Sequence, residues 1–413
     1  MTRELSSHLA PGMRVFMPSM SNESALLKQE LAAHPERASG VDFCAVQFPG
    51  IDSIDYLALH PEARHSAYFM SPAVRTGLRE GRAELYSLDY PGIVHHLQSG
   101  PTIDLAFAQV SAPDEQGWCS PGLSCDFMPL AWARAKRRVA HINPLMPRIP
   151  SSFRIHVDEL DASVVSKQPL LDFRDPPAGE VESRIGALVA PLIHDGSTLQ
   201  FGIGAVPLGL ADALKSHRGL KFHGGLVSSA LQTLWNAGAM DRNARITTGV
   251  VLGDASFQDF VRELPQLWLT DVSHTHDAHA LSRIDGLVAI NSAIEVDLLG
   301  QVNAERAGGA MQAGSGGLPA FARGALSAPN GRLLICLPAT ARKGAVSRIV
   351  PSLGSDGACT LPRYLADVIV TEHGVAEIRH LGPEARAQAL MALAAPEHRP
   401  ELERAWAAIR EKL

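Results

Sequence analysis

Four short stretches carry residue types and spacings suited to chemistry. Gly202-Ile203-Gly204-Ala205-Val206-Pro207 places two glycines in a turn that leads into a helix. Such a turn lets backbone N–H groups approach a phosphate or another anion at the helix start. Pro207 stands where a dinucleotide fingerprint has its third glycine, which argues against a nicotinamide site. The same spacing also serves a plain strand-to-helix turn. Ala313-Gly314-Ser315-Gly316-Gly317 leaves several N–H groups bare of side chains, as an oxyanion hole or a ligand seat requires. The residues that follow, Phe321-Ala322-Arg323-Gly324-Ala325, have a structured pattern, which speaks against a flexible linker.

Asn291-Ser292-Ala293-Ile294-Glu295-Val296-Asp297 sets two carboxylates at the end of an apolar strand, with Glu295 and Asp297 on one face. Strand C-termini are where open α/β sheets place ligands, and Glu295 there can serve as nucleophile or base. A buried glutamate satisfied by backbone N–H groups fits the same pattern. His274-Thr275-His276-Asp277-Ala278-His279 gathers three imidazoles, but without the spacing of known metal motifs. Zinc sites draw ligands from separated elements, so a polar helix start with solvated imidazoles is expected, and no metal. Neither a Gly-x-Ser-x-Gly elbow nor a phosphate-binding Gly-x-x-x-x-Gly-Lys loop occurs.

The elements around these stretches alternate between strand and helix. Strands are expected at Val41–Val46, Ala83–Tyr86 and Ile103–Val110, with helices near 72–80 and 90–98. A second block starts near Ile185, with strands at Thr198–Phe201, Leu220–His223, Ile246–Leu252, Leu287–Ile294 and Leu333–Leu337. Two helices follow Pro383. Asn143 to Ser183 is rich in Pro, Asp and Ser, as a connection between domains is. The expected fold is α/β with parallel, helix-covered sheets. A shift of 183 positions lays Ala106–Gly117 on Ala289–Gly300, matching Asp114 to Asp297 and Gly117 to Gly300. Val15–Pro18 overlays Leu199–Gly202 in a similar way, so a duplicated fold is expected: 1–182 and 183–413.

Composition bounds the partners. At about 100–200 residues per domain, 413 residues give two or three domains. The chain is 46% hydrophobic and 19% charged, with net charge −6, which excludes wholesale disorder. An acidic chain without a Lys/Arg tract is a poor nucleic-acid binder. Apolar runs break well before the ~18 residues of a membrane helix, and the first residues lack an apolar signal core. Five cysteines, odd in number and without Cys-x-x-Cys, read as reduced thiols of a cytoplasmic protein.

Taken in order, these stretches resemble the acetyl-CoA hydrolase/transferase family, close to its 4-hydroxybutyrate and butyrate CoA-transferases. The resemblance rests on Gly202–Ala205, Ala289–Asp297 with Gly300-Gln301-Val302, and Gly314-x-Gly316-Gly317. Leu337–Thr340, Ser347–Pro351 and Thr371–Ala376 extend it, as do Gln109–Ser111, Gly117–Ser120 and Asn143–Arg148. It implies two similar open α/β domains of the class I CoA-transferase type, with a coenzyme A thioester and a small carboxylate as partners. No permanently bound cofactor is implied. A homodimer or homotetramer is expected.

In that family a glutamate attacks the acyl-CoA carbonyl, and CoA is carried through an anhydride and a glutamyl thioester. The resemblance assigns Gly202, Ile203, Gly204, Ala205, Val206, Ala293, Gly314, Gly316 and Gly317 to CoA and to the oxyanions. It places the glutamate in a His-[Ser/Thr]-Glu-Met segment, which reads His223-Gly224-Gly225-Leu226 here, so Gly225 occupies the nucleophile position. The usual Ser-Asp-Gly becomes Ser228-Ser229-Ala230, a family Asn becomes His276, and Leu318-Pro319-Ala320 replaces Gln-x-Asp. Three readings follow. In the first, a CoA-transferase uses Glu295 as substitute nucleophile or transfers directly. In the second, an acyl-CoA hydrolase holds water in the space beside Gly224-Gly225, with His223 or His276 as general base. The third is a non-catalytic CoA binder. Arg306 can pair with the second carboxylate of a dicarboxylic acid, or serve only a surface salt bridge.

Overall fold

A computed structural model describes residues 4–354 and 357–413. Its backbone falls into two compact units. One is the chain up to Arg174 together with Arg245–Thr275; the other is Asp175–Ala244 together with His276–Leu413.

The first unit is built on a seven-stranded sheet. Its spatial order is Ala83–Leu85, Arg64–Ala67, Asp42–Ala45, Arg14–Phe16, Ile103–Val110, Ala135–Ile142 and Ala162–Val165, with every neighbour parallel. Parallel pairing demands crossovers, and helices Ala25–Ala33, Pro72–Arg79 and Tyr90–Ser99 lie between strands. Each starts at a capping side chain: Ser24 accepts from the Leu27 N–H, Ser71 from Val74 and Asp89 from Gly92. Strand alternation then feeds two apolar layers. Val15, Phe43, Leu105, Phe107 and Val139 pack in one, Phe16, Cys44, Ala106, Ala108 and Ala140 in the other. Both faces are therefore buried, which explains the near-continuous apolar run at Ile103–Val110. Ile246–Thr248 and Leu267–Leu269 form a further parallel pair of this unit.

In the second unit, Lys221–His223, Thr198–Gln200, Leu287–Ser292, Arg332–Cys336 and Val368–Thr371 lie side by side in parallel. Gly374–Glu377 adds an antiparallel edge. Helices Ala205–Ala213, Ser229–Asn236 and Leu318–Ser327 accompany these strands, and Pro383–Leu393 and Arg399–Arg410 close the chain.

Most expected elements are present within a residue or two. Three differ. Ile246–Leu252 breaks at Gly249 into Ile246–Thr248 and Val250–Val251. The expected strand Leu287–Ile294 stops at Ser292, and Glu295–Asp297 is a separate strand. It pairs with Val302–Asn303 and Ile349–Val350 in a small sheet, so the two carboxylates do not lie at the end of the long strand. Arg64–Ala67, Ala135–Ile142 and Ala162–Val165 had no expected counterpart. Their polar residues mask the apolar alternation, and the last lies within the segment taken as a connection.

The two sheets repeat one plan. The order Asp42–Ala45, Arg14–Phe16, Ile103–Val110, Ala135–Ile142, Ala162–Val165 recurs as Lys221–His223, Thr198–Gln200, Leu287–Ser292, Arg332–Cys336, Val368–Thr371. The turns past the central strands agree in detail. Asp114 Oδ1 accepts from the N–H groups of Gln116 (3.1 Å) and Trp118 (2.8 Å). Asp297 Oδ1 accepts from Leu299 (3.0 Å) and Gln301 (2.8 Å). Gly117 and Gly300 take the left-handed turn position with φ of 85° and 87°.

Candidate active site of the second unit

The strand Thr198–Gln200 ends in the Gly202–Gly204 turn, and helix Ala205–Ala213 starts directly after it. A Cβ built on Gly202 or on Gly204 would meet no heavy atom within 4 Å, so both glycines border open space. The Gly204 amide is engaged nonetheless: it donates to Asp175 Oδ1 at 2.7 Å. Asp175 Oδ2 accepts from the Ser229 hydroxyl at 3.1 Å, at the start of helix Ser229–Asn236. One carboxylate thus serves the starts of two helices, a favourable place for negative charge. No motif reveals Asp175; it precedes two prolines at the start of the unit.

Lys221–His223 leads into Gly224-Gly225. A Cβ on Gly224 would lie 2.9 Å from the Phe222 ring. A Cβ on Gly225 would lie 2.8 Å from His276 Cε1 and 3.1 Å from its Nε2. The space beside these glycines therefore holds aromatic rings rather than the room for water expected from their small size.

His276 also departs from the expected solvated imidazole. It is 2% exposed, and its ring centroid lies 4.6 Å from that of Phe321. Burial first, and the neighbouring His223 second, push its pKa down to about 3, so the ring is neutral. His223 is itself buried, whereas His274 and His279 are exposed. The Asp277 side chain caps the next short helix through the Ala280 N–H. Among the described residues no three His, Cys, Asp or Glu side chains converge as metal ligands.

The Gly-rich stretch leads into helix Leu318–Ser327, with Gly317 as its N-cap residue and Pro319 in the first turn. The buried Leu318, Phe321, Ala322 and Ala325 anchor that helix in the core. Gly316 has φ 59° and open space at its Cβ position. A Cβ on Gly317 would lie 2.5 Å from His276 Nε2.

Glu295 is half-buried, and its Oε1 accepts from Asn303 Nδ2 at 2.9 Å, a side-chain partner rather than a backbone cradle. Asn303 is fixed in turn, since its Oδ1 accepts from the Glu305 and Arg306 N–H groups. Asp297 is 1% exposed and spends its oxygens on the turn, including Gln301 Nε2 at 2.7 Å, so its work is structural. Ala293 is buried between the two strands. Arg306 Nη2 donates to the Gly309 carbonyl at 2.8 Å.

Three further stretches meet beside the last parallel strand. Arg348 donates its N–H to the Ala339 carbonyl at 2.8 Å, and Thr340 pairs with Ser347. Glu372 Oε2 accepts from the Ala339 N–H at 2.8 Å. Glu372 is a strand-end carboxylate that residue types alone did not single out.

Comparison with known proteins places this arrangement. The model of the acetyl-CoA hydrolase/transferase N-terminal domain matches residues 1–171, and that of the C-terminal domain matches 253–406. The chain is 35% identical over 348 residues to 4-hydroxybutyrate coenzyme A transferase of Clostridium kluyveri, covering 82% of this chain and 81% of the relative. It is 32% identical to succinyl-CoA:cyclohexane-1-carboxylate CoA transferase of Geobacter metallireducens, covering 83% and 80%. Among solved structures, RipA from Yersinia pestis aligns with TM-score 0.89 and 26% identity over 98% of this chain and 96% of that one. A 4-hydroxybutyrate CoA-transferase from Porphyromonas gingivalis aligns with TM-score 0.81 and 27% identity over 100% and 98%.

Proposed function

We infer that this chain, which belongs to the acetyl-CoA hydrolase/transferase family, moves coenzyme A between short-chain carboxylic acids. The observation that carries the reading is the open ground at Gly202, Gly204 and Gly316, where a side chain would meet no protein atom. Backbone N–H groups there can approach a thioester and its phosphates closely. The CoA seat comprises Gly202, Ile203, Gly204, Ala205, Val206, Ala293, Gly314, Gly316 and Gly317. CoA takes the Gly204 amide only when Asp175 releases it. Coenzyme A enters as substrate; no resident cofactor is part of the scheme.

With Gly225 at the family's nucleophile position, Glu295 is the carboxylate assigned to covalent work. Its oxygen attacks the acyl-CoA carbonyl, the C–S bond breaks, and CoA leaves as thiolate with an acyl-glutamyl anhydride behind. The thiolate then attacks the glutamyl carbonyl and expels the first acid as carboxylate. A second acid collects CoA by the reverse steps. Hydrolysis is the alternative. There a base must activate water, and His276, with a pKa of about 3, is mismatched to that work near neutral pH. That leaves His223 as its base.

We assign residues 1–182 and 183–413 to the two domains, and propose a cytoplasmic homodimer or homotetramer. Among the described residues no helix is long and apolar enough to cross a membrane.

The deciding experiment is acceptor dependence. Butyryl-CoA with acetate should yield acetyl-CoA, and without an acid acceptor no free CoA thiol should accumulate. Acceptor-independent thiol release would establish the hydrolase instead. CoA-dependent thermal stabilisation without turnover would leave a binder.

A further inference from the structure

We propose that His276 determines which nucleophile this site can carry: its imidazole fills the volume into which a side chain at 225 would grow. The inference rests on the CoA-transferase reading only for its chemical consequence; the packing stands alone.

The geometry is specific. A Cβ at 225 would sit 2.8 Å from His276 Cε1 and 3.1 Å from Nε2, closer than side-chain carbons pack. These are the two ring atoms that an imidazole has beyond the length of an asparagine side chain. The backbone at 225 does not itself forbid a side chain, because Gly225 is not among the residues with positive φ. The obstacle is therefore the ring.

The ring has little room to move. It is 2% exposed, it packs on Phe321, and its Nε2 and Cδ2 lie 2.5 and 2.8 Å from where a Cβ of Gly317 would be. One imidazole accounts for the absent side chains of two glycines, one after the strand Lys221–His223 and one at the start of helix Leu318–Ser327. Close-packed interiors do not absorb an added side chain freely. Position 225 therefore takes no side chain while the imidazole at 276 stands.

The consequence is chemical. An introduced carboxylate at 225 needs the ring shortened before it can attack. It would then attack the thioester carbonyl, expel CoA thiolate by C–S cleavage, and form an anhydride. The returning thiolate would displace the acid as carboxylate and leave CoA bound to the protein as a thioester.

The test compares wild type, Gly225→Glu, His276→Asn and the double variant. Ligand-free melting midpoints are measured first, then intact and peptide masses after incubation with butyryl-CoA. Gly225→Glu should melt several degrees below wild type and carry no CoA-mass adduct on the peptide that spans 225. The double variant should melt above Gly225→Glu and carry that adduct. A single variant that melts like wild type, or gains the adduct unaided, would overturn the proposal. So would a double variant that melts no higher than the single one, or that is stabilised by CoA yet gains no adduct. If CoA fails to stabilise even wild type, the CoA reading falls, and the midpoints alone decide the packing claim.

Discussion

Asp175 holds the turn at Gly204: its Oδ1 accepts the Gly204 N–H at 2.7 Å while its Oδ2 accepts the Ser229 hydroxyl at 3.1 Å. Removing a carboxylate that accepts two hydrogen bonds costs about 1.5 kcal/mol. Asp175→Ala should therefore lower the melting midpoint. Asp175→Asn should not lower it comparably, because an amide oxygen still accepts the Gly204 N–H. The two variants should part on CoA. Asp175→Asn removes a negative charge that competes for the amide, and should tighten CoA binding by about fivefold, an electrostatic effect of about 1 kcal/mol. Weaker binding by Asp175→Asn, measured by calorimetry, would mean that the charge organises the turn rather than competing for it.

Gly316 needs its lack of side chain twice over. Its φ of 59° strains a β-branched residue, and the open space at its Cβ position is where a ligand would approach. Gly316→Val should fold with a lower midpoint and lose CoA-dependent stabilisation. In wild type, CoA at about 100 times its Kd should add about 2.7 kcal/mol, which is readily seen in a thermal shift. A valine variant stabilised by CoA as strongly as wild type would remove this loop from the CoA seat.

Glu295 Oε1 accepts from Asn303 Nδ2 at 2.9 Å, a side-chain partner. If it is the substitute nucleophile, butyryl-CoA leaves a CoA-mass adduct on its peptide. Glu295→Ala should abolish both adduct and turnover with little change in midpoint, since half-exposed positions contribute little to stability. Asn303→Ala should lower both kcat and the melting midpoint, because the Glu305 and Arg306 N–H groups lose their acceptor as the carboxylate loses its orientation. An adduct that persists in Glu295→Ala, at another peptide, would move the nucleophile elsewhere.

Periodicity made the sheets legible, because buried parallel strands are apolar runs: Ile103–Val110 has the expected bounds. The duplication was visible in Asp114 and Asp297, because one carboxylate must bond two N–H groups of the same tight turn in each copy. Ala135–Ile142 was hidden by Lys136, Arg137 and Arg138, whose charges break the apolar pattern although Val139–Ile142 are buried. At the site, loops with glycines could be recognised, since bare backbone is itself the signal. What filled the space around them could not. Burial of His276 arises from Phe321, Gly225 and Gly317, which are far apart in sequence and meet only in the fold. Asp175 joins Gly204 across 29 positions, and no motif marks Asp175.

Asp126 makes the first unit pH-sensitive. Burial pushes its carboxyl up to about 8, with the nearby Asp52 and Asp271 acting in the same direction. Asp52 is likewise raised, to about 7, by burial. In the unfolded chain an aspartic acid titrates at about 3.9. Between these values the folded state holds a proton that the unfolded state has released, so stability falls as pH rises from about 4 to about 8 and then levels off. Asp126→Asn removes this contribution and suits the backbone, since φ is 34° at this position and asparagine tolerates left-handed geometry. Asp52 is the poorer choice, because its two oxygens accept from the Met20 and Phe48 N–H groups, and an amide nitrogen cannot replace either. Melting midpoints of wild type and Asp126→Asn should nearly coincide at about pH 4, where the aspartic acid is protonated in the folded state and partly so in the unfolded one. By pH 8 the variant should be the more stable by a few degrees. Curves that run parallel across that range would show that Asp126 titrates as an ordinary carboxylate.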